Sequence, residues 1–255
     1  MKHLLLVGDL GVGTNFVKNI CFTDLSYESP FKLDYLNTIY KSSNEDLSKF
    51  WLTREYNTRG WQDKWNIDLS DNIADDAIEQ LKLIPKTIFV NHSSFNNMLH
   101  RNKLLDISKE LKTILLIPET LQGFNWQMRA YISKKGLTKM HNFSFPTDVE
   151  KNKKIFIEQY GLESYTKFNL CNMYEICQRN WHSAKEFFEL NNMPILYTDD
   201  LYKNKFEDFL SKLLAIEDIN LNIDNSKKMY KEWLAFHWPY EETDNWDYSY
   251  EKIKL

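Results

Sequence analysis

The stretch Gly8-Asp9-Leu10-Gly11-Val12-Gly13-Thr14-Asn15-Phe16 follows directly on the apolar run His3-Leu4-Leu5-Leu6-Val7. A buried strand running into a glycine-rich turn and then a helix is the opening of a nucleotide-binding α/β sheet. Gly8 and Gly13 keep the spacing of G-x-x-x-x-G-K-[ST], the loop that cradles nucleoside triphosphates. Thr14 stands where the lysine belongs, however, and Asn15 where the metal-binding hydroxyl belongs. Gly11-Val12-Gly13 would also start the dinucleotide pattern G-x-G-x-x-G, but Phe16 replaces its third glycine. The first turn of a helix has unspent N–H groups and the positive end of the helix dipole, so an anion site is expected without the lysine. Triphosphate hydrolysis is not. The bland alternative is a tight glycine turn that holds no ligand.

Outward from the loop, four short apolar runs read as buried strands: 3–7, 87–91, 113–117 and 194–197. Between them lie segments with helical periodicity at 14–22, 44–56, 72–83, 119–135, 149–160, 170–190, 205–215 and 226–236. Gly136 and Gly161 are natural stops for two of these. Strands that alternate with helices predict a three-layer α/β fold of the phosphate-loop type, a parallel sheet with helices on both faces. The simplest partition is one domain over 1–255, with a helical insertion at about 24–84 and an aromatic, acidic C-terminal tail at about 237–255.

Composition bounds the partners. With 255 residues, 43% hydrophobic, 27% charged and a net charge of −4, the chain has an ordinary surface and lacks the basic excess of a nucleic-acid binder. No apolar run reaches the length of a membrane span. Three cysteines without metal-like spacing fit a reducing compartment, and with no secretory signal the expected location is cytoplasmic. The six histidines include no ligand spacing such as H-x₃-H, so no metal site is expected. The chain holds only 7 glycines where average usage would give about 18, and Gly8, Gly11 and Gly13 are three of them. Backbone freedom is therefore concentrated in the loop. Arginine is scarce as well, five residues against 27 lysines, which draws attention to Arg54, Arg59, Arg101, Arg129 and Arg179.

Four stretches together carry a family resemblance. Val12-Gly13-Thr14-Asn15-Phe16 is similar to S-G-T-T-W in the P-K-S-G-T-T-W loop of sulfotransferases; "PKTIFVNHSSF" (85–95) to their K-T-H-L-P strand and turn; "KTILLIPET" (112–120) to the strand carrying their R-x-P turn; and Thr198-Asp199-Asp200-Leu201 to their Y-E-D-L. Order and spacing agree over most of residues 1–216. The resemblance implies a sulfotransferase-like fold and 3′-phosphoadenosine 5′-phosphosulfate as cofactor. It implies a cofactor site at Gly11, Val12, Gly13, Thr14, Asn15 and Phe16. The chain departs from the family at three places. Gly11 falls on the loop lysine, Leu116-Ile117 on the arginine for the 3′-phosphate, and Phe124 on the serine beyond it, with Asn125 next to it.

Compensating donors are sought on the helix after Pro118, where Gln122, Asn125 and Arg129 share a face at spacings of three and four. Arg129 has the fork geometry for a phosphate, although solvent-facing arginines are common. Lys18, one turn past Thr14, is either a cation for the loop or a surface lysine. His92, mapping on the family's histidine, is the candidate base for an acceptor hydroxyl. Its alternative role is to cap the turn that follows. Asp199 and Asp200 are adjacent, so their side chains diverge, and capping of the next helix is the expected role. Trp51, Trp61, Trp65 and Tyr56 around Arg54 and Arg59 suit either a flap over an acceptor or the core of the insertion. The expected activity is transfer of a sulfuryl group to a hydroxyl of a small-molecule or glycan acceptor. A phosphate-loop kinase and a non-catalytic interaction module with a docking tail stand as alternatives.

Overall fold

The computed structural model describes residues 3–9, 11–24, 88–91, 101–102, 104–105, 108–109, 111–135, 143–203, 205–217 and 219–237. The apolar run forms strand β1 (Leu4–Gly8), and Leu4, Leu5, Leu6 and Val7 are fully buried. A strand covered on both faces has no reason to alternate in polarity, which is why this one reads as unbroken leucine and valine. Parallel neighbours flank it, β2 (Ile88–Asn91) on one side and β3 (Lys112–Ile117) on the other, with β4 (Ile195–Tyr197) beyond β3. The sheet order is β2-β1-β3-β4, all parallel.

Alternate side chains divide the core. Leu4, Leu6, Ile114 and Leu116 face helices α1 (Thr14–Cys21), α5 (Phe206–Ile216) and α6 (Ile223–His237). Leu5, Val7, Leu115 and Ile117 face α2 (Leu121–Lys135) and α3 (Val149–Leu190). Helices therefore cover both faces of the sheet. The short α4 (Asp199–Tyr202), absent from the sequence expectation, follows β4. No helix among the described residues is long and apolar enough to cross a membrane. The insertion and the tail expected from the sequence lie largely outside the described residues.

The expected stop at Gly161 is present as a break inside α3, where φ is 85° and ψ is 160°. That combination belongs almost to glycine alone. Helix resumes immediately, so the segment expected to start at 170 begins eight residues earlier, carried by the contacts of Tyr165 and Phe168 with Phe145.

Two glycines predict opposite causes of instability. A Cβ on Gly8 would lie 2.7 Å from both Thr14 Cγ2 and Val12 Cγ1 and 3.0 Å from the Leu116 carbonyl oxygen. Gly8→Ala should cost about 1–3 kcal/mol by overpacking, read as a lower urea midpoint. A Cβ on Gly161 would meet nothing within 4 Å, so the cost of Gly161→Ala comes from the backbone alone. Gly161→Asn should then be as damaging as Gly161→Ala, since asparagine tolerates only the helical left-handed region.

Candidate functional site

The glycine loop joins β1 to α1 at the carboxyl edge of the sheet, and its two later glycines have positive φ, 82° at Gly11 and 90° at Gly13. Gly13 is the N-cap of α1 in the left-handed conformation, its carbonyl accepting from Val17 N–H at 2.9 Å. The departure at Gly11 has a backbone reason: a lysine there would pay about 1–2 kcal/mol to adopt a left-handed conformation. Neighbours hold the loop. The Tyr202 hydroxyl donates to the Gly11 carbonyl at 2.7 Å. Leu201 and Trp233 flank Gly13, and Val12 is buried in the core. By helix geometry the N–H groups of Thr14, Asn15 and Phe16 have no intrahelical acceptor. No acidic residue occupies the first turn of α1 to neutralise its dipole.

Two expected ligand side chains serve the core instead. Phe16 is 1% exposed and stacks on Trp233 with centroids 4.9 Å apart, so its ring is committed to the α1–α6 contact. Val12 offers only backbone. Thr14 is buried, its methyl against Gly8, which puts this face of α1 toward the end of β1. Lys18 lies one turn on along that face. It is buried, so it is not a surface lysine, and desolvation lowers its pKa to about 7. Long side chains on a helix lean toward its N-terminus, here toward the loop.

At the neighbouring corner, β3 leads through Pro118 into α2. Thr120 caps that helix, its hydroxyl accepting from Gly123 N–H at 3.0 Å. The same hydroxyl donates to Asp199, whose carboxylate also accepts from the N–H groups of Glu119 and Thr120. Asp199 therefore caps α2 across the edge and not its own helix, where Thr198 is the N-cap and makes no side-chain cap bond. Asp200 diverges as expected and pairs with Lys212. Gly123 makes room for this contact, because a Cβ there would fall on the Asp199 carboxylate.

The shared face of Gln122, Asn125 and Arg129 does not open on one surface. Gln122 is exposed, Asn125 is half-buried with its carbonyl taken by the Tyr174 hydroxyl at 2.7 Å, and Arg129 is buried. Arg129 lies about 12 Å of helix rise beyond the start of α2, at 1.5 Å per residue. Its burial sets it in the helical layer, not in solvent. Asp9, unremarked in the sequence beyond its place in the loop, accepts from Asn180 Nδ2 at 2.7 Å. With Gln127, Asn180 and Trp181 it lines a small cavity over the ends of β1 and β3. The three cysteines are buried, and burial pushes the thiols of Cys21 and Cys177 well above their ordinary value, which leaves them protonated and poor nucleophiles.

β2 ends at Asn91, the residue before His92. His92 itself, like the aromatic cluster Trp51, Tyr56, Trp61 and Trp65 with Arg54 and Arg59, lies outside the described residues. The chain is thus an α/β protein on a parallel sheet, with a glycine loop opening its first helix at the carboxyl edge. Comparison with protein-family models, with curated proteins and with solved structures found no match.

Lys18 gives the site a measurable signature. Its folded pKa of about 7 lies below the unfolded value of 10.5, so between those pH values the unfolded chain binds more protons. Stability should rise as pH increases from about 7 toward 10.5, with no slope from this group below that window. Lys18→Met, in which the charge is absent from both states, should flatten the rise in urea midpoints measured at pH 7 and pH 9.

Proposed function

We propose that this chain is a sulfotransferase-like enzyme of the phosphate-loop fold, moving a sulfuryl group from 3′-phosphoadenosine 5′-phosphosulfate to a hydroxyl of a small-molecule or glycan acceptor. The observation that carries the reading is topological. The four stretches that resemble sulfotransferase motifs are scattered from residue 12 to residue 201 in sequence. The strands that precede them or lie within them are adjacent and parallel, and their carboxyl ends meet at one edge. Neighbouring strands lie about 4.8 Å apart, so the four ends span about 15 Å, the scale of one nucleotide with an acceptor beside it. Ligands of open parallel sheets bind at this edge.

In this reading the backbone donors at Gly13, Thr14 and Asn15 hold the phosphosulfate, and Thr14 adds its hydroxyl. Lys18, on the face of Thr14, supplies the cation that Gly11 cannot. Asn125, half-buried on α2 near the adjoining corner, offers its amide N–H group to the nucleotide's other phosphate, while the buried Arg129 belongs to the helical layer. The acceptor oxygen attacks sulfur in line, the bond from sulfur to the bridging oxygen breaks, and the bisphosphate leaves with that electron pair. His92, the next residue in the chain after β2, takes the acceptor's proton.

Thermal unfolding with adenosine 3′,5′-bisphosphate, with ATP and with buffer alone tests the assignment. At 100 times its dissociation constant a ligand adds about 2.7 kcal/mol, a rise of roughly 2–4 °C for a chain of this size. The expected result is a rise with the bisphosphate only, reduced by Thr14→Ala and retained by His92→Ala, which should abolish transfer. A rise with ATP only would overturn the reading in favour of a kinase. No rise with either would remove nucleotide binding from the loop.

A further inference from the structure

The two halves of α3 do not run straight on from one another. From Phe156 to Phe168 is about 18 Å of straight helix, yet the two rings stack with centroids 5.1 Å apart. The axis therefore bends back sharply at Gly161, and the limbs 149–160 and 162–190 close on Phe145, Phe156, Tyr165 and Phe168. With their aromatic sides turned to one another, the limbs leave other apolar side chains outside. Ile155 is 49% exposed, Tyr160 56% and Leu162 58%. Seven large apolar side chains are exposed among the described residues, and three of them fall between positions 155 and 162. Apolar residues exposed singly are ordinary, but a concentration of them marks an interaction surface.

The charges around Ile155 decide which partner fits. At about 100° per residue, Lys151 and Glu158 fall about 40° and 60° to the same flank of Ile155. Lys151 stands about 6 Å before it along the axis and Glu158 about 4.5 Å after it. Both are exposed. A two-fold axis relating antiparallel helices keeps each flank and inverts position along the helix. A second copy centred on Ile155 therefore sets Lys151 beside the partner's Glu158, and Glu158 beside the partner's Lys151. A parallel copy would bring like charges level with one another. Within the chain Glu158 meets Lys154 at 3.8 Å, an exposed ion pair worth little, so exchanging it for a contact between copies costs little.

We infer that the limb 149–160 joins two copies of this chain in an antiparallel dimer, with Ile155 at the two-fold axis and a Lys151–Glu158 pair on each side of it. Such an isologous contact closes on itself, as in most dimers. One short limb from each copy makes a small interface, so the association is weak. The bend stands away from the glycine loop: Asn180, which holds Asp9, lies about 27 Å of helix past Leu162. Each copy keeps its own carboxyl edge, and the inference does not depend on the nucleotide reading.

Sedimentation equilibrium of the full chain over a rising concentration series tests the dimer. The wild-type mass should climb from one copy toward two. Ile155→Ser should weaken the association, and Lys151→Glu and Glu158→Lys should each weaken it about 10-fold, since both ion pairs become repulsions. Mixed in equal amounts, the two charge variants should pair about as tightly as wild type, because every contact between them is again opposite in charge. A monomer at every concentration overturns the inference and leaves the surface to another part of this chain or to another protein. A dimer that none of the three substitutions weakens overturns it as well. So does a mixture that associates no better than either charge variant alone, because the limbs would then not meet in this register.

Discussion

The structure depends on the burial of β1 from both sides. Leu4 and Leu6 complete one core cluster while Leu5 and Val7 complete the other, so a four-residue segment is the seam between two helical layers. Each fully buried side chain of this size contributes about 1.5–3 kcal/mol. A parallel strand flanked on both edges also has its backbone polar groups satisfied in the ladder. Everything at the carboxyl edge inherits its position from this strand: the loop begins where β1 ends, and the neighbours' ends are set by their register with it.

What fixes the edge itself is a small set of polar bonds between distant parts of the chain. Asp199 draws the start of α2 toward the corner after β4, and Tyr202, one turn later, holds the loop carbonyl at Gly11. Trp181 reaches across from α3 to the Pro118 carbonyl at 2.8 Å. These bonds spend side-chain groups on carbonyls and N–H groups that helix ends and turns leave orphaned. The two corners and the loop are therefore tied into one rigid rim. A rim of this kind lets a ligand meet preset donors instead of ordering them on binding.

The electrostatics of that rim differ from those of the triphosphate-binding loop whose glycine spacing it shares. The loop carries no lysine of its own, Asp9 brings a carboxylate to its first turn, and the nearby cation on α1 is a buried lysine with a depressed pKa. What positive potential the rim has at this point comes mainly from backbone N–H groups and the helix dipole.

Much of this was legible in the chain. The leucine run, the glycine spacing, the four strands and the break at Gly161 all follow from local rules of burial, φ preference and periodicity, so the α/β class and the parallel sheet could be read directly. Local rules do not reach contacts between residues far apart in sequence. Nothing around Asp199 indicates that it caps a helix beginning some eighty residues earlier, and nothing around Tyr202 points to Gly11. Phe16 sits where a ligand aromatic was expected, yet Trp233 on α6 claims it, and Lys18 looks like an ordinary surface lysine until α1 is packed on the sheet. Residue type and spacing determined which elements form and where the glycine turn falls between them. Packing alone decided which side chains face that place, because burial is a property of what folds over a residue and not of the residue itself.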